Sequence, residues 1–187
     1  DNSPLDRVIK QIGPGQAWHN GQRGVSTVYA LNGASEVRLY RVNDNGTLAY
    51  GGFYGAGRLS KVTTTDEDGN SVIVYTDNQD RVLLTVGNDG TNRLETYYVY
   101  NGRENLCYVL PPLIQDEGIA QSKLDELAYQ YKYDIYSRCI YKKLPGCEPI
   151  YFIYDKVDRL IFTQDGEQRA KSPQEWTFSI PDKLGRT

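Results

Sequence analysis

From residue 129 onward, apolar and polar positions alternate at period two, and the runs are broken by clusters of turn-forming residues. Tyr151, Phe152, Ile153 and Tyr154 are all aromatic or β-branched, the composition of a strand. Asp155 follows, and its carboxylate can bond backbone N–H two residues on and so start a turn. Residues 159–163 read as the returning strand, and 164–168, with Gly166 inside, as the next turn. In 175–180, Trp176, Phe178 and Ile180 fall on one face, and Pro181-Asp182 opens a further turn.

The recurring unit is an apolar strand that ends in Tyr-Asp or a variant and restarts at Arg four residues later. It appears at Asp134 with Arg138, Asp155 with Arg159, and Asp182 with Arg186. The same template finds Asp77 with Arg81 and a degenerate copy at Asn101 with Asn105. The intervals are uneven, so this is an irregular repeat of hairpins. These anchors have a structural reading. Asp satisfies backbone donors at the turn, and Arg pairs with a carboxylate on a neighbouring hairpin or lays its stem over a Tyr ring.

Upstream, residues 7–12 read as a short strand in a region otherwise dominated by turns. Strands over 25–30 and 36–42 are expected to form a hairpin about Asn32-Gly33, a strong turn signal. Residues 43–46 turn back into a strand at 47–50. The glycines of 51–57 precede a Thr- and Val-rich strand, not a helix, so a bent β connection is expected in place of a phosphate loop. Residues 66–70 look like a calcium loop, but Ser71 stands where an EF-hand needs Gly, and the flanks alternate as strands. A hairpin tip is the reading there. Strands at 82–86 and 94–100 flank a turn at 88–90. After Pro111-Pro112, Ser122 is placed to cap a short helix near 122–128, paired with Asp125, with Leu124 and Leu127 inward.

Charge and composition narrow the function. A formal net charge of -3 argues against a nucleic-acid footprint. No apolar run is long enough for a membrane span. Sixteen tyrosines against four phenylalanines suit a sheet whose faces are partly wet. Cys107, Cys139 and Cys147 read as free thiols, although 139 and 147 flank Pro145-Gly146 and could approach each other. The one histidine, His19, lies in a Gly-rich stretch with no second histidine to build a relay or metal site. No catalytic, cofactor or metal residue emerges, and the chain is expected not to be an enzyme.

The Tyr-Asp-x-x-x-Arg units resemble those of RHS (YD) repeat proteins. Several runs are similar to RHS-repeat proteins of Bacteroidetes: SPLDRV, PGQAW, SEVRLY, TTDEDG, TYYVYNGRENLCYVLPPL, and YQYKYD through KKLPGCEPIYFIYDKVDRLIFTQDG. The resemblance spans nearly the whole chain. It departs from the pattern at Asn101 with Asn105 and at Pro181, which replaces the Tyr of the last unit. In that family the hairpins wind into a large β-shell, often around a C-terminal effector, frequently a toxin, in secreted or surface-displayed proteins. The family's self-cleavage motif is not found in this chain.

The expectation is therefore an all-β protein, an irregular array of antiparallel hairpins forming a curved, shell-like sheet with one short helix near 122–128. Residues 1–57 would be an N-terminal cap and 58–187 a piece of a longer repeat array. Its partners would be the remainder of its own chain, including an effector, and a second copy through an open strand edge. The alternative is a carbohydrate- or protein-binding module whose ligand face is Tyr129, Tyr131 and Tyr133, with Tyr151 and Tyr154 as neighbours.

Overall fold

The computed structural model describes residues 5–21, 23–88, 92–117, 119–180 and 182. The chain is built mainly of antiparallel strands. It divides into two compact units, Asp1–Leu39 with Tyr50–Tyr97, and Tyr40–Ala49 with Tyr98–Thr187.

In the first unit the strands follow the order β1 (Lys10–Gln11), β2 (Val25–Leu31), β5 (Ser60–Thr65), β6 (Ser71–Thr76), β7 (Val82–Asn88) and β8 (Arg93–Tyr100). Strands β3 (Arg38–Val42) and β4 (Leu48–Phe53) form a separate two-stranded ribbon. Along β7 the run Val-Leu-Leu-Thr-Val is buried or half-buried at every position, as a central strand covered on both faces requires. Its neighbours supply the rest of the core. Tyr75, Leu84 and Tyr97 lie opposite one another in register, and all are buried together with Val37 and Leu59.

Asn32-Gly33 does not close a hairpin between β2 and β3. Strand β2 lies between β1 and β5 instead, with Thr27 opposite Thr64 and Leu31 opposite Ser60. The buried Asn32 side chain explains why. Its Nδ2 donates to the Gly33 and Gly55 carbonyls at 3.0 and 2.9 Å, and its Oδ1 accepts from the Arg58 and Leu59 N–H at 2.9 and 2.8 Å. An amide that could have turned the chain on itself is used to fasten it to residues 55–59. The N-terminal region also differs from its expected form. Strand β1 is shorter than 7–12, and a helix, α1 (Gln16–Asn20), holds His19 where turns were expected.

In the second unit the order is β9 (Leu106–Leu110), β10 (Tyr129–Tyr133), β11 (Cys139–Lys143), β12 (Ile150–Tyr154), β13 (Leu160–Gln164) and β14 (Thr177–Phe178). Each strand pairs antiparallel with the next. The expected helix is present as α3 (Gln121–Leu127), preceded by α2 (Ile114–Glu117). Leu124 is buried as expected, but Ala120, not Ser122, is the cap residue, and no side chain caps the helix. Asp125 accepts instead from the side-chain amides of Gln121 and buried Gln130, at 2.9 and 2.8 Å. A further helix, α4 (Gly166–Ala170), occupies the stretch expected to be a turn. Asp165 and Gln168 close it with a reciprocal capping box.

Candidate functional site

The anchor residues fold into one recurring turn. At each of 77–81, 101–105, 134–138 and 155–159 the first residue's N–H donates to the carbonyl four residues on, at 3.1, 3.0, 3.0 and 2.9 Å. The fourth residue's N–H donates back to the first carbonyl. That fourth residue is left-handed: Asp80, Glu104, Ser137 and Asp158 have φ of 58, 64, 62 and 65°. The first side chain over-determines the turn. Asp134 Oδ1 accepts from the N–H groups of Tyr136 and Arg138 at 2.9 and 3.0 Å, while Oδ2 accepts from Arg138 Nε at 2.6 Å. Asp155 with Arg159 and Asp77 with Arg81 repeat this arrangement. Asn101 keeps both backbone bonds, and its amide replaces the carboxylate.

The repeat is wider than the Asp-Arg pattern reveals. Turns 43–47 and 66–70 have the same backbone bonds, with Gly46 and Gly69 as the left-handed residues. At 66–70 the Asp66 carboxylate is taken up by the Asp68 and Asn70 N–H groups and the Asn70 amide, so these oxygens build a hairpin tip. Among the described residues no group of three or more His, Cys, Asp or Glu is placed to hold a metal ion. The three cysteines are free thiols, and burial pushes Cys107 and Cys139 above the ordinary thiol range.

The turns of the second unit are linked to one another. Arg138 NH1 donates to the Asp155 carbonyl at 3.0 Å and to Asp158 Oδ1 at 2.7 Å. Asn105 makes the equivalent reach to Ser137 Oγ at 3.0 Å, from the last residue of one turn to the fourth of the next. Arg159 NH1 lies 3.5 Å from the Asp182 carbonyl, and its expected partner position Arg186 lies outside the described residues. The Tyr before each Asp adds a second link. Tyr133 OH donates to the Leu106 carbonyl at 2.9 Å, and Tyr154 OH to that of Cys139 at 3.0 Å. Each carbonyl belongs to the residue just after the preceding turn. Arg138 also lies over the Tyr154 ring, 5.2 Å from its centroid.

Alternation puts Tyr129, Tyr131 and Tyr133 on one face of β10, but Tyr151 is not their neighbour. Lys132 faces Tyr141 and Tyr141 faces Tyr151, so Tyr151 belongs to the opposite face, where it meets Tyr141 edge-on at 5.6 Å. Tyr129 is exposed, and Tyr131 is half-buried. Burial raises the Tyr131 and Tyr133 phenols, the latter to about 12, so both stay neutral donors at physiological pH. Tyr131 and Tyr133 also line a cavity of about 520 Å³ together with Asp44, Asn45, Asn101 and Arg103.

The turn predicts its own mutational signature. Asp77→Ala removes the acceptor of two N–H groups and an ion-pair partner of Arg81, and lowers stability by about 1.5 kcal/mol. Asp77→Asn recreates the Asn101 arrangement and is expected to cost less than half of that. Equal losses in chemical denaturation would show that the ion pair, not the backbone capping, sustains the turn. No family model and no curated protein matches this chain.

Proposed function

We propose that the chain is a non-catalytic structural segment of a large secreted or cell-surface RHS-repeat protein. It is a stretch of β-shell wall whose partner is the remainder of its own chain, including an enclosed effector domain. The carrying observation is the pair of links between successive turns: the last residue of one turn to the fourth of the next, and the Tyr hydroxyl to the carbonyl just past the preceding turn. An isolated hairpin is marginal in water. Hairpins bonded at each neighbour derive stability from stacking, as repeat walls do. Tyr154→Phe removes one such hydroxyl and leaves the ring, so it is expected to cost about 1 kcal/mol, or a few degrees of melting temperature. Melting identical to the wild type would detach the hairpins from one another and remove the support for a wall.

The cavity beside Tyr131 favours a second reading, a carbohydrate-binding module. Aromatic rings next to amide, carboxylate and guanidinium groups suit a polyhydroxylated ring. A glycan-array screen of the protein and its Tyr131→Ala variant separates the two. Specific binding that disappears in a variant of unchanged melting makes the tyrosine face a site. A blank array with melting lowered by a few degrees leaves Tyr131 in the wall.

A further inference from the structure

Strands β12, β13 and β14 carry an uncovered apolar face. Register sets Ile153 opposite Phe162 and Phe162 opposite Phe178, so the three form one row across the sheet. Alternation adds Tyr151 beside Ile153, and Trp176 and Ile180 on either side of Phe178. The Trp176 ring meets Phe162 edge-on at 6.3 Å, on the same face. These six side chains are 37–79% exposed. On the scale of an aromatic side chain, that opens roughly 550 Å² of apolar surface to water, as much as the largest patch of an ordinary monomer.

The cations that border this face are each matched by a carboxylate. Lys171 pairs with Glu175 at 2.6 Å beside Trp176, Arg159 with Asp155 at 2.7 Å before β13, and Arg169, which lies over the Tyr151 ring, with Glu148 at 3.7 Å. A neutral apolar face suits a neutral apolar partner, and an identical copy meets it without like-charge opposition. The row is also self-complementary. A two-fold axis parallel to β13 lays Phe162 on Phe162 of a second copy, and bulky Phe178 on the smaller Ile153. Two such faces, stacked as sheets stack, bury about 1,100 Å² of apolar surface between them, which clears the ~1,000 Å² at which specific interfaces begin. We infer that this face docks on the same face of a second copy and forms an isologous, two-layer dimer. The contact is made through side chains of the sheet face, not through the open strand edge, and it does not depend on the wall reading.

Sedimentation equilibrium from about 1 to 200 µM tests it, and half of the chains are expected to be dimeric near roughly 20 µM. Phe178→Asp weakens the dimer about tenfold at an unchanged melting temperature, since most of that side chain is open to water. Ile153→Asp, on a strand two in from the edge, does the same. Should it melt below the wild type, Ile153→Thr keeps a β-branched strand residue and still weakens association about threefold. A chain that stays monomeric throughout overturns the assignment. So does a dimer of wild-type affinity in both Ile153 variants, which would place the contact on the open edge of β14.

Discussion

Asn32→Ala is expected to lower the unfolding free energy by about 3 kcal/mol, which in a chain of this size corresponds to roughly 6–12 °C of melting temperature. Asn32 is only 3% exposed, and its amide makes four hydrogen bonds, two as donor and two as acceptor. Alanine leaves the Arg58 and Leu59 N–H groups and the Gly33 and Gly55 carbonyls without that partner. A buried polar group left unmade costs more than the net worth of the bond it lost. Asn32→Asp sharpens the test. It keeps the two acceptor contacts but places a carboxylate against the two carbonyls, so the loss at neutral pH is at least as large as for alanine. The folded-state pKa of that carboxyl would be raised, so part of the loss is recovered on acidification, when a protonated oxygen can donate to one carbonyl. Urea unfolding at neutral and mildly acidic pH measures both. A loss below about 1 kcal/mol for Asn32→Ala would mean that water replaces the amide.

At Asn32 the fold ceases to be legible in local sequence. The hairpin turns were legible because their causes are local: an Asp side chain capping N–H groups two and four residues on, between runs that alternate. The extra copies at 43–47 and 66–70 carried a signal too, an Asx residue with Gly three positions later, but they lack the Arg used as the template. What Asn-Gly does at 32–33 was not legible, because its partners sit more than twenty residues away at 55–59, and the pairing of β2 with β5 is equally non-local. Helix α4 is marked locally by the capping-box spacing of Asp165 and Gln168, which competes with the turn signal of Gly166. The face of Tyr151 was hidden for a different reason. The register shifts by one residue between Lys132 and Tyr133, and again between Ile153 and Tyr154. Counting alternate residues along the chain therefore does not carry a face from one strand to the next across these turns.

Acid titration is expected to weaken the first unit through Glu36, between its ordinary value of 4.5 and about 2. Burial alone would raise this carboxyl. Hydrogen bonds from Lys61, from the Gly33 N–H at 2.6 Å and from Tyr75 OH at 2.7 Å, together with the Lys61 charge, more than reverse it and hold it at about 2. The folded value lies below the unfolded one. The contribution is therefore complete above about pH 4.5 and is lost as the pH falls toward 2. With the carboxylate 22% exposed, solvent screening reduces it to about 2 kcal/mol. Glu36→Gln should cost that amount at pH 7 and almost nothing near pH 2, so the two stability curves converge on the acid side. Lys61 gives the opposite sign. Its bond to Glu36, ahead of all other causes, holds it above the ordinary 10.5, so its share persists below that pH and is lost above it. Tyr75→Phe is the control, because it removes one neutral donor to Glu36 while keeping a ring at a fully buried position opposite Leu84. It should shift the acid limb upward without erasing it. A Glu36→Gln curve parallel to the wild type from pH 7 to 2 would show that the carboxylate's charge contributes nothing. Residues 33–37 would then be held by the burial of Val37, by the Asn32 amide donating to the Gly33 carbonyl and by the Tyr54 N–H donating to the Val37 carbonyl.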